Sequence, residues 1–89
     1  MNSLEQELRD RTNVDDLMNK KIQNVPQGNA LVNACKQRRA ELFREMCDNE
    51  FDNVTTQAYN NVRYDLHTAI KRIGSQQAKM VRAKIALRG

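Results

Sequence analysis

The last third of the sequence carries one apolar stripe at helical spacing, and this stripe limits the chain to folds built around one long helix. At about 100° per residue the stripe stays within an arc of about 120°. Its members are Ala58, Val62, Leu66, Ala69, Ile70, Ile73, Met80 and Leu87. The helical phase of the stripe is the same on both sides of Gly74, which predicts one continuous helix. Gly at this position should destabilise the helix by about 1 kcal/mol relative to Ala. A helix end at Gly74 with a new helix from Ser75 stays open as the alternative.

The rest of the chain also favours helices. No run of alternating apolar and polar residues is long enough for a strand. With one Pro and three Gly, the chain also has few residues that favour the tight turns of β-hairpins. A helix is predicted from the cap Asn29 to about residue 47. The Asp- and Asn-rich stretch 48–53 predicts a connecting turn, with Asp52 or Asn53 capping the last helix. We therefore expect an all-α fold whose main domain is a helical hairpin over residues 29–89.

Residues 1–28 are predicted to form a short N-terminal helical segment of one or two helices. Ser3 and Gln6 have the spacing of a capping box, which opens the first helix. A cap at residue 12 or 13 can start a second segment, in which apolar residues recur at helical spacing. The Pro and Gly of residues 25–28 predict the end of this segment.

The predicted core is thin, which favours assembly. A chain of 89 residues with 4% aromatic residues buries little apolar surface alone, since a domain of this size covers only about 60% of the surface of its unfolded chain. We expect a homodimeric bundle in which a second chain shares the stripe of Val62, Leu66, Ile70 and Ile73. Without a signal sequence or an apolar run of about 18 residues, we also expect an intracellular, cytoplasmic protein that does not insert into a membrane.

The sequence offers little catalytic or metal-binding chemistry. His67 is the only histidine, and its helical neighbours Arg63 and Lys71 are cationic, so a surface imidazole is favoured over a general base. The acidic stretch 48–52 resembles the start of a calcium loop, but this loop type needs Gly at its sixth position and Glu at its twelfth. Asn53 and Tyr59 occupy these positions. We predict no enzyme activity, no metal and no cofactor.

Charge is segregated along the chain. Residues 1–65 carry 9 basic and 11 acidic side chains, whereas residues 66–89 carry 6 basic and no acidic ones. On the helical wheel a basic face lies opposite the apolar stripe and extends about 28 Å from Arg63 to Arg82. We predict that Arg63, Lys71, Lys79 and Arg82 contact phosphates, with Arg72 and Arg88 as auxiliary contacts. The alternative is a solvated helix face that serves solubility alone.

The run Asn60-Asn61-Val62-Arg63-Tyr64-Asp65-Leu66 resembles sequences of two known families. It is similar to the start of the RNA-contacting helix in insect nodavirus silencing suppressors, which implies a dimeric helical hairpin that binds double-stranded RNA. Its last five residues also resemble the Val-Arg-x-Asp-Leu of recognition helices in winged-helix repressors. The two likenesses cover seven residues or fewer and imply different folds, so they assign the chain to neither family.

These observations lead to two functional hypotheses. The first is a non-enzymatic helical module, such as a viral regulator, that binds the phosphate backbone of duplex nucleic acid, with RNA favoured over DNA. The scarcity of aromatic residues favours a duplex over a single strand. The second is an interaction subunit or inhibitor that places an amphipathic helix in a groove of a larger protein. The Met residues on apolar faces support the second hypothesis, although ordinary core packing is the favoured explanation of them.

Overall fold

The computed structural model describes residues 3–49 and 52–88, and this part of the chain forms four α-helices and no strand. In chain order the helices are α1 (Leu4–Thr12), α2 (Val14–Asn19), α3 (Val25–Asp48) and α4 (Asn53–Arg88). The all-α fold, the long last helix and the short N-terminal helices are thereby confirmed. None of the four described helices has the length and apolarity that crossing a bilayer requires.

The helices pack around α4. α3 runs antiparallel to α4, so Asn49 lies near Tyr59 at one end and Asn29 near Gln77 at the other. α1 and α2 lie one after the other along α4 and run parallel to it. The molecule is elongated, 56 × 24 × 16 Å, because α4 continues past the helices that cover it.

One core joins all four helices. Its α4 part follows the predicted stripe, with Val62 and Leu66 fully buried and Ile73 1% exposed. The other helices contribute Leu8, Val14, Cys35, Leu42 and Met46, and the loop after α2 contributes Ile22. The sequence predicted that a second chain shares the stripe of Val62, Leu66, Ile70 and Ile73. Instead α1, α2 and α3 cover Val62, Leu66 and Ile73 within one chain, and Ile70 is half-buried.

The N-terminal segment forms two helices, the second shorter than predicted. The Gln6 N–H donates to the Ser3 hydroxyl over 3.2 Å, which confirms the predicted cap. Asn13 separates the two helices in a left-handed conformation, φ 57°, which Asn tolerates better than most residues. α2 ends at Asn19, and the chain after it is held by Gln76 of α4 rather than by helical hydrogen bonds.

The predicted break over residues 25–28, with Asn29 as the next cap, is wrong. α3 begins at Val25, and Asn24 is its cap, since the Gln27 N–H donates to Asn24 Oδ1 over 2.8 Å. The Gln27 side chain in turn accepts from the Gln23 N–H over 2.6 Å. The Pro lies in the first helical turn, where its missing N–H leaves no helical hydrogen bond unmade.

α4 is one helix through Gly74, as predicted, which excludes a helix end there. Its 36 residues correspond to about 54 Å. Asp52 caps it by accepting from the Thr55 N–H over 2.6 Å, which also confirms the predicted cap. Residues 81–88 are all exposed, so the last two turns project beyond the bundle. Leu87, assigned by spacing to the stripe, is 88% exposed for this reason.

Candidate nucleic-acid interface

α4 carries all of the cations that the sequence assigned to a basic face. Beyond Leu66 it holds six Lys and Arg side chains and no carboxylate. The other helices cover its apolar side, so its outer side is the part that a large ligand can reach. The cations on this helix extend from Lys71 to Arg88, about 25 Å along the axis.

Lys71, Lys79 and Arg82 are exposed on α4. None of the three forms an ion pair with a carboxylate of residues 3–49 or 52–88. Gly74 and Ser75, which lie between them, are exposed and small, so no bulky side chain screens this stretch. Their charges are available to an anion that approaches from solvent.

The one carboxylate of α4 is neutralised on another side of the helix. Asp65 faces α1 and forms an ion pair with Arg9. The four ion pairs of the described residues all involve α1 or α3. The ion pairs thus lie away from the outer side of α4, whose cations are left without carboxylate partners.

Arg63 is placed differently from the other predicted contact residues. Its side chain is half-buried, and its guanidinium carbon lies 4.8 Å from the centre of the Phe43 ring of α3. One terminal nitrogen donates to Asn60 Oδ1 over 3.1 Å, and Nε is buried with no partner among the described residues. Arg63 is a packed cation at the α3–α4 junction, and its contact with phosphate remains a prediction.

The predicted auxiliary contacts, Arg72 and Arg88, differ in their surroundings. Arg72 is exposed, and its Nη1 donates to the Met18 carbonyl at the end of α2 over 3.0 Å. Arg88 is exposed in the last described turn of α4. Arg72 therefore has a fixed direction toward α2, whereas Arg88 sits on the projecting end of the helix.

Two cations that sequence reasoning missed join this surface. Lys20 and Lys21 follow α2 and line a cavity of about 580 Å³ together with Arg72 and Lys79. The residues lie more than fifty positions apart in the chain, and no periodicity links them. The adjacent Lys-Lys pair was the only available signal, and its position depends on the way α2 packs against α4.

His67 lies at the edge of the basic surface, beside α3. Its Nδ1 is 3.3 Å from Nη1 of Arg39, and its ring is 6.5 Å from that of Tyr64. His67 is exposed, and no carboxylate hydrogen-bonds to it in the described structure. These neighbours provide a polar surface contact, with no nucleophile that an imidazole base could activate.

The remaining reactive side chains are the two cysteines and the carboxylates of the described residues. Within residues 3–49 and 52–88, no group of three or more His, Cys, Asp or Glu side chains is arranged to hold a metal ion. Both cysteines of α3 are free. Burial raises the pKa of the Cys35 thiol, which favours the less reactive protonated form.

Comparison with protein-family models, curated proteins and solved structures finds no match to this chain. The functional assignment accordingly depends on the chain's own residues and on the geometry described above.

Proposed function

We propose that this protein is a non-enzymatic module that binds the phosphate backbone of duplex nucleic acid through the outer side of α4. The supporting observation is that Lys71, Lys79 and Arg82 are exposed on a stretch of helix that contains no carboxylate. Backbone phosphates are recognised mainly by such unpaired Lys and Arg side chains. Lys84 and Arg88 continue the cationic surface to the end of the helix.

A duplex fits this surface better than a single strand. α4 offers a helical row of cations about 25 Å long, enough to follow a groove or the phosphate rows beside it. Binding of single strands relies on aromatic side chains that stack on bases. Tyr64, which is 69% exposed, is the large aromatic side chain that α4 presents to solvent, and one ring makes a poor stacking platform.

RNA is the favoured duplex. The run 60–66, which is similar to the RNA-contacting helix of the silencing suppressors, lies in α4 one turn before the exposed cations. A-form RNA is recognised mostly by its shape and its backbone, which suits a surface rich in exposed Lys and Arg side chains. A viral regulator with a cytoplasmic location would fit this chemistry.

The proposal includes a homodimer, but its interface is not the central stripe of α4 that the sequence predicted. Because the central stripe of α4 is buried within one chain, dimerisation would use apolar side chains that remain exposed. These include Phe43, 46% exposed, and Val81 and Ile85, 45% and 65% exposed. Sedimentation equilibrium measures this directly, and a monomer at about 100 μM would exclude the dimer while leaving the cationic surface of each chain intact.

The second candidate function is docking to a larger protein through the projecting end of α4. Val81 and Ile85 lie one turn apart and are exposed, which gives this helix end a small apolar patch. Helix-in-groove recognition uses a longer row of apolar anchors, at i, i+3 or i+4 and i+7. Cations surround this two-residue patch, so the geometry favours the polyanion as the partner.

Charge reversal separates the two functions. The variant Lys71→Glu/Arg82→Glu removes two exposed cations and adds two carboxylates, and we expect at least about a tenfold loss of affinity for a 20-bp RNA duplex. The matched control is Lys36→Glu/Arg44→Glu, which makes the same charge change at exposed positions of α3. The control should lose less than about threefold, through long-range electrostatics alone.

The measurement is fluorescence anisotropy with duplex RNA and duplex DNA, with circular dichroism as the check on folding. Equal losses in the two variants would show that net charge, and not the surface of α4, drives binding. No binding of either duplex by the wild-type chain at micromolar concentration would reject the proposed function and favour protein docking.

A further inference from the structure

A cavity of about 580 Å³ lies between α4 and the chain segment 20–24, which connects α2 to α3. We call it the loop pocket. It is open to solvent, and its lining includes Lys20, Lys21, Arg72 and Lys79 together with the Ser75 hydroxyl. No carboxylate occurs among the described residues that line it. The loop pocket is therefore a concave cationic feature of this surface.

Gln76 of α4 holds the segment that carries the two lysines of the loop pocket. Gln76 donates to the Lys20 carbonyl over 2.9 Å and accepts from the Ile22 N–H over 2.9 Å. Ile22 is itself 5% exposed and belongs to the core. The backbone that carries the two lysines is thus fixed at two successive points, which reduces the ordering cost when a ligand binds.

Arg72 is pre-positioned in the same way. Its Nη1 donates to the Met18 carbonyl over 3.0 Å, so the guanidinium lies against the end of α2 at the edge of the loop pocket. A guanidinium presents five N–H donors, and one contact leaves the others available for a ligand. Arg72 therefore forms part of the pocket wall and offers it donors.

The chemistry of the lining selects one class of ligand. Four cations converge without a carboxylate, an arrangement whose like charges repel each other until an anion neutralises them. Ammonium, guanidinium and hydroxyl groups together supply the donors that phosphate oxygens accept. The cavity is open, so a phosphate that is part of a polymer backbone can reach it without passing a constriction.

We propose that the loop pocket binds a backbone phosphate of the duplex that lies along α4. This inference rests on the proposed function and extends its contact surface from one helix to a second element. Lys79 is the link, because it belongs both to the exposed cations of α4 and to the lining of the pocket. The duplex is then held by α4 and by the segment after α2, which fixes its position around the helix axis.

The variant Lys20→Ala/Lys21→Ala tests the proposal. Both side chains are exposed, and the contacts that hold the segment use the backbone of Lys20 and Ile22, so the fold should be preserved. We expect the affinity for a 20-bp RNA duplex to fall about 3–10-fold, and the slope of log affinity against log salt to become shallower by about one to two.

The matched control is Lys36→Ala/Arg44→Ala, which removes two exposed cations of α3. If the loop variant matches the control in both affinity and slope, the loop pocket is not a phosphate site. Failure of the proposed function gives a different result, because the wild-type chain would then bind no duplex. Wild-type binding that is lost in Lys71→Glu/Arg82→Glu but unchanged in the loop variant would overturn the inference alone.

Discussion

At the scale of single residues, Glu45 is the carboxylate that ties three helices together. It lies on α3 and accepts from Nη2 of Arg11 on α1, at 2.8 and 2.9 Å to its two oxygens. The Tyr59 hydroxyl of α4 donates to it over 2.9 Å. The hydrogen bond from Arg11, with that from Tyr59, holds the pKa of the Glu45 carboxyl below its ordinary value.

This network predicts a pH-dependent stability. Glu45 has a lower pKa folded than unfolded, so its ionised form stabilises the fold above the ordinary value of 4.5, and this contribution is lost as the pH falls through the folded-state value. Glu45→Gln should reduce the free energy of unfolding by about 1 kcal/mol at about pH 7, because the group is partly exposed. At about pH 3 the difference from wild type should be smaller.

Urea unfolding at the two pH values measures this effect. Glu41→Gln is the control. Among residues 3–49 and 52–88, Glu41 pairs only with Arg38, one turn away on α3, and the loss of this pair should cost less than about 0.5 kcal/mol. A Glu45→Gln deficit that is the same at both pH values would show that the charge of Glu45 does not stabilise the fold.

Arg63 shows what a helical wheel leaves out at this scale. The wheel places Arg63 on the basic face because it counts only the angle around α4. It does not contain Phe43, whose ring lies under the Arg63 guanidinium, because Phe43 belongs to another helix. Lys71 and Arg82 are exposed as the wheel predicts, since no neighbouring helix covers that side of α4.

At the scale of the helices, two glycines occupy opposite environments. A Cβ at Gly74 would meet no atom within 4 Å. A Cβ at Gly28 would lie 2.7 Å from Gln77 Nε2 and 2.8 Å from both Gln77 Cγ and Ile22 Cδ1. The Gln77 amide donates to the Val25 carbonyl and to Asn29 Oδ1, so displacing this side chain would break two hydrogen bonds.

The two positions therefore predict opposite effects of alanine. Gly74→Ala should raise the free energy of unfolding by about 0.5–1 kcal/mol, the ordinary helix-interior difference between the residues. Gly28→Ala has the same favourable helix propensity but displaces Gln77 from two hydrogen bonds. We expect it to lower the free energy of unfolding by about 1 kcal/mol. Urea unfolding of both variants checks this, and a destabilising Gly74→Ala would contradict a continuous α4.

The predicted and observed helices differ at the start of α3, where one local signal outweighed another, and at the end of α2, where tertiary contacts decide. The continuity of α4 was predictable from the helical phase of its apolar stripe. A stripe that packs on one core keeps the same phase only if the helix is unbroken. The predicted start of α3 is wrong because Pro26 and Gly28 predict a break, although the sequence also contains the cap formed by Asn24 and Gln27. The end of α2 was not predictable, since it depends on the contacts that Gln76 makes from α4.

At the scale of the whole molecule, the residues of α4 that form the core and the cations of its projecting end lie in different parts of the helix. Its first half is packed against α1 and α3, whereas residues 81–88 are exposed on every side. The projecting turns hold Arg82, Lys84 and Arg88 and contribute no residue to the buried core. They can therefore serve binding without being required for the fold.

Removing residues 84–89 tests this division. The shortened chain keeps Met80, the last residue packed against the core, so the free energy of unfolding should stay within about 0.5 kcal/mol of wild type. Its affinity for duplex RNA should fall about 3–10-fold with the loss of two cations. Urea unfolding and anisotropy give the two values, and a stability loss above about 1 kcal/mol would contradict the division.

The most direct test of the central claim is the salt dependence of duplex RNA binding by the wild-type chain. If four or more cations of α4 and the loop pocket neutralise phosphates, log affinity should fall linearly with log salt, with a slope steeper than about −3. Affinity should then drop more than about 50-fold between about 50 and 200 mM salt. An affinity that stays constant over this range, or no binding at micromolar protein at the lower concentration, would contradict the account.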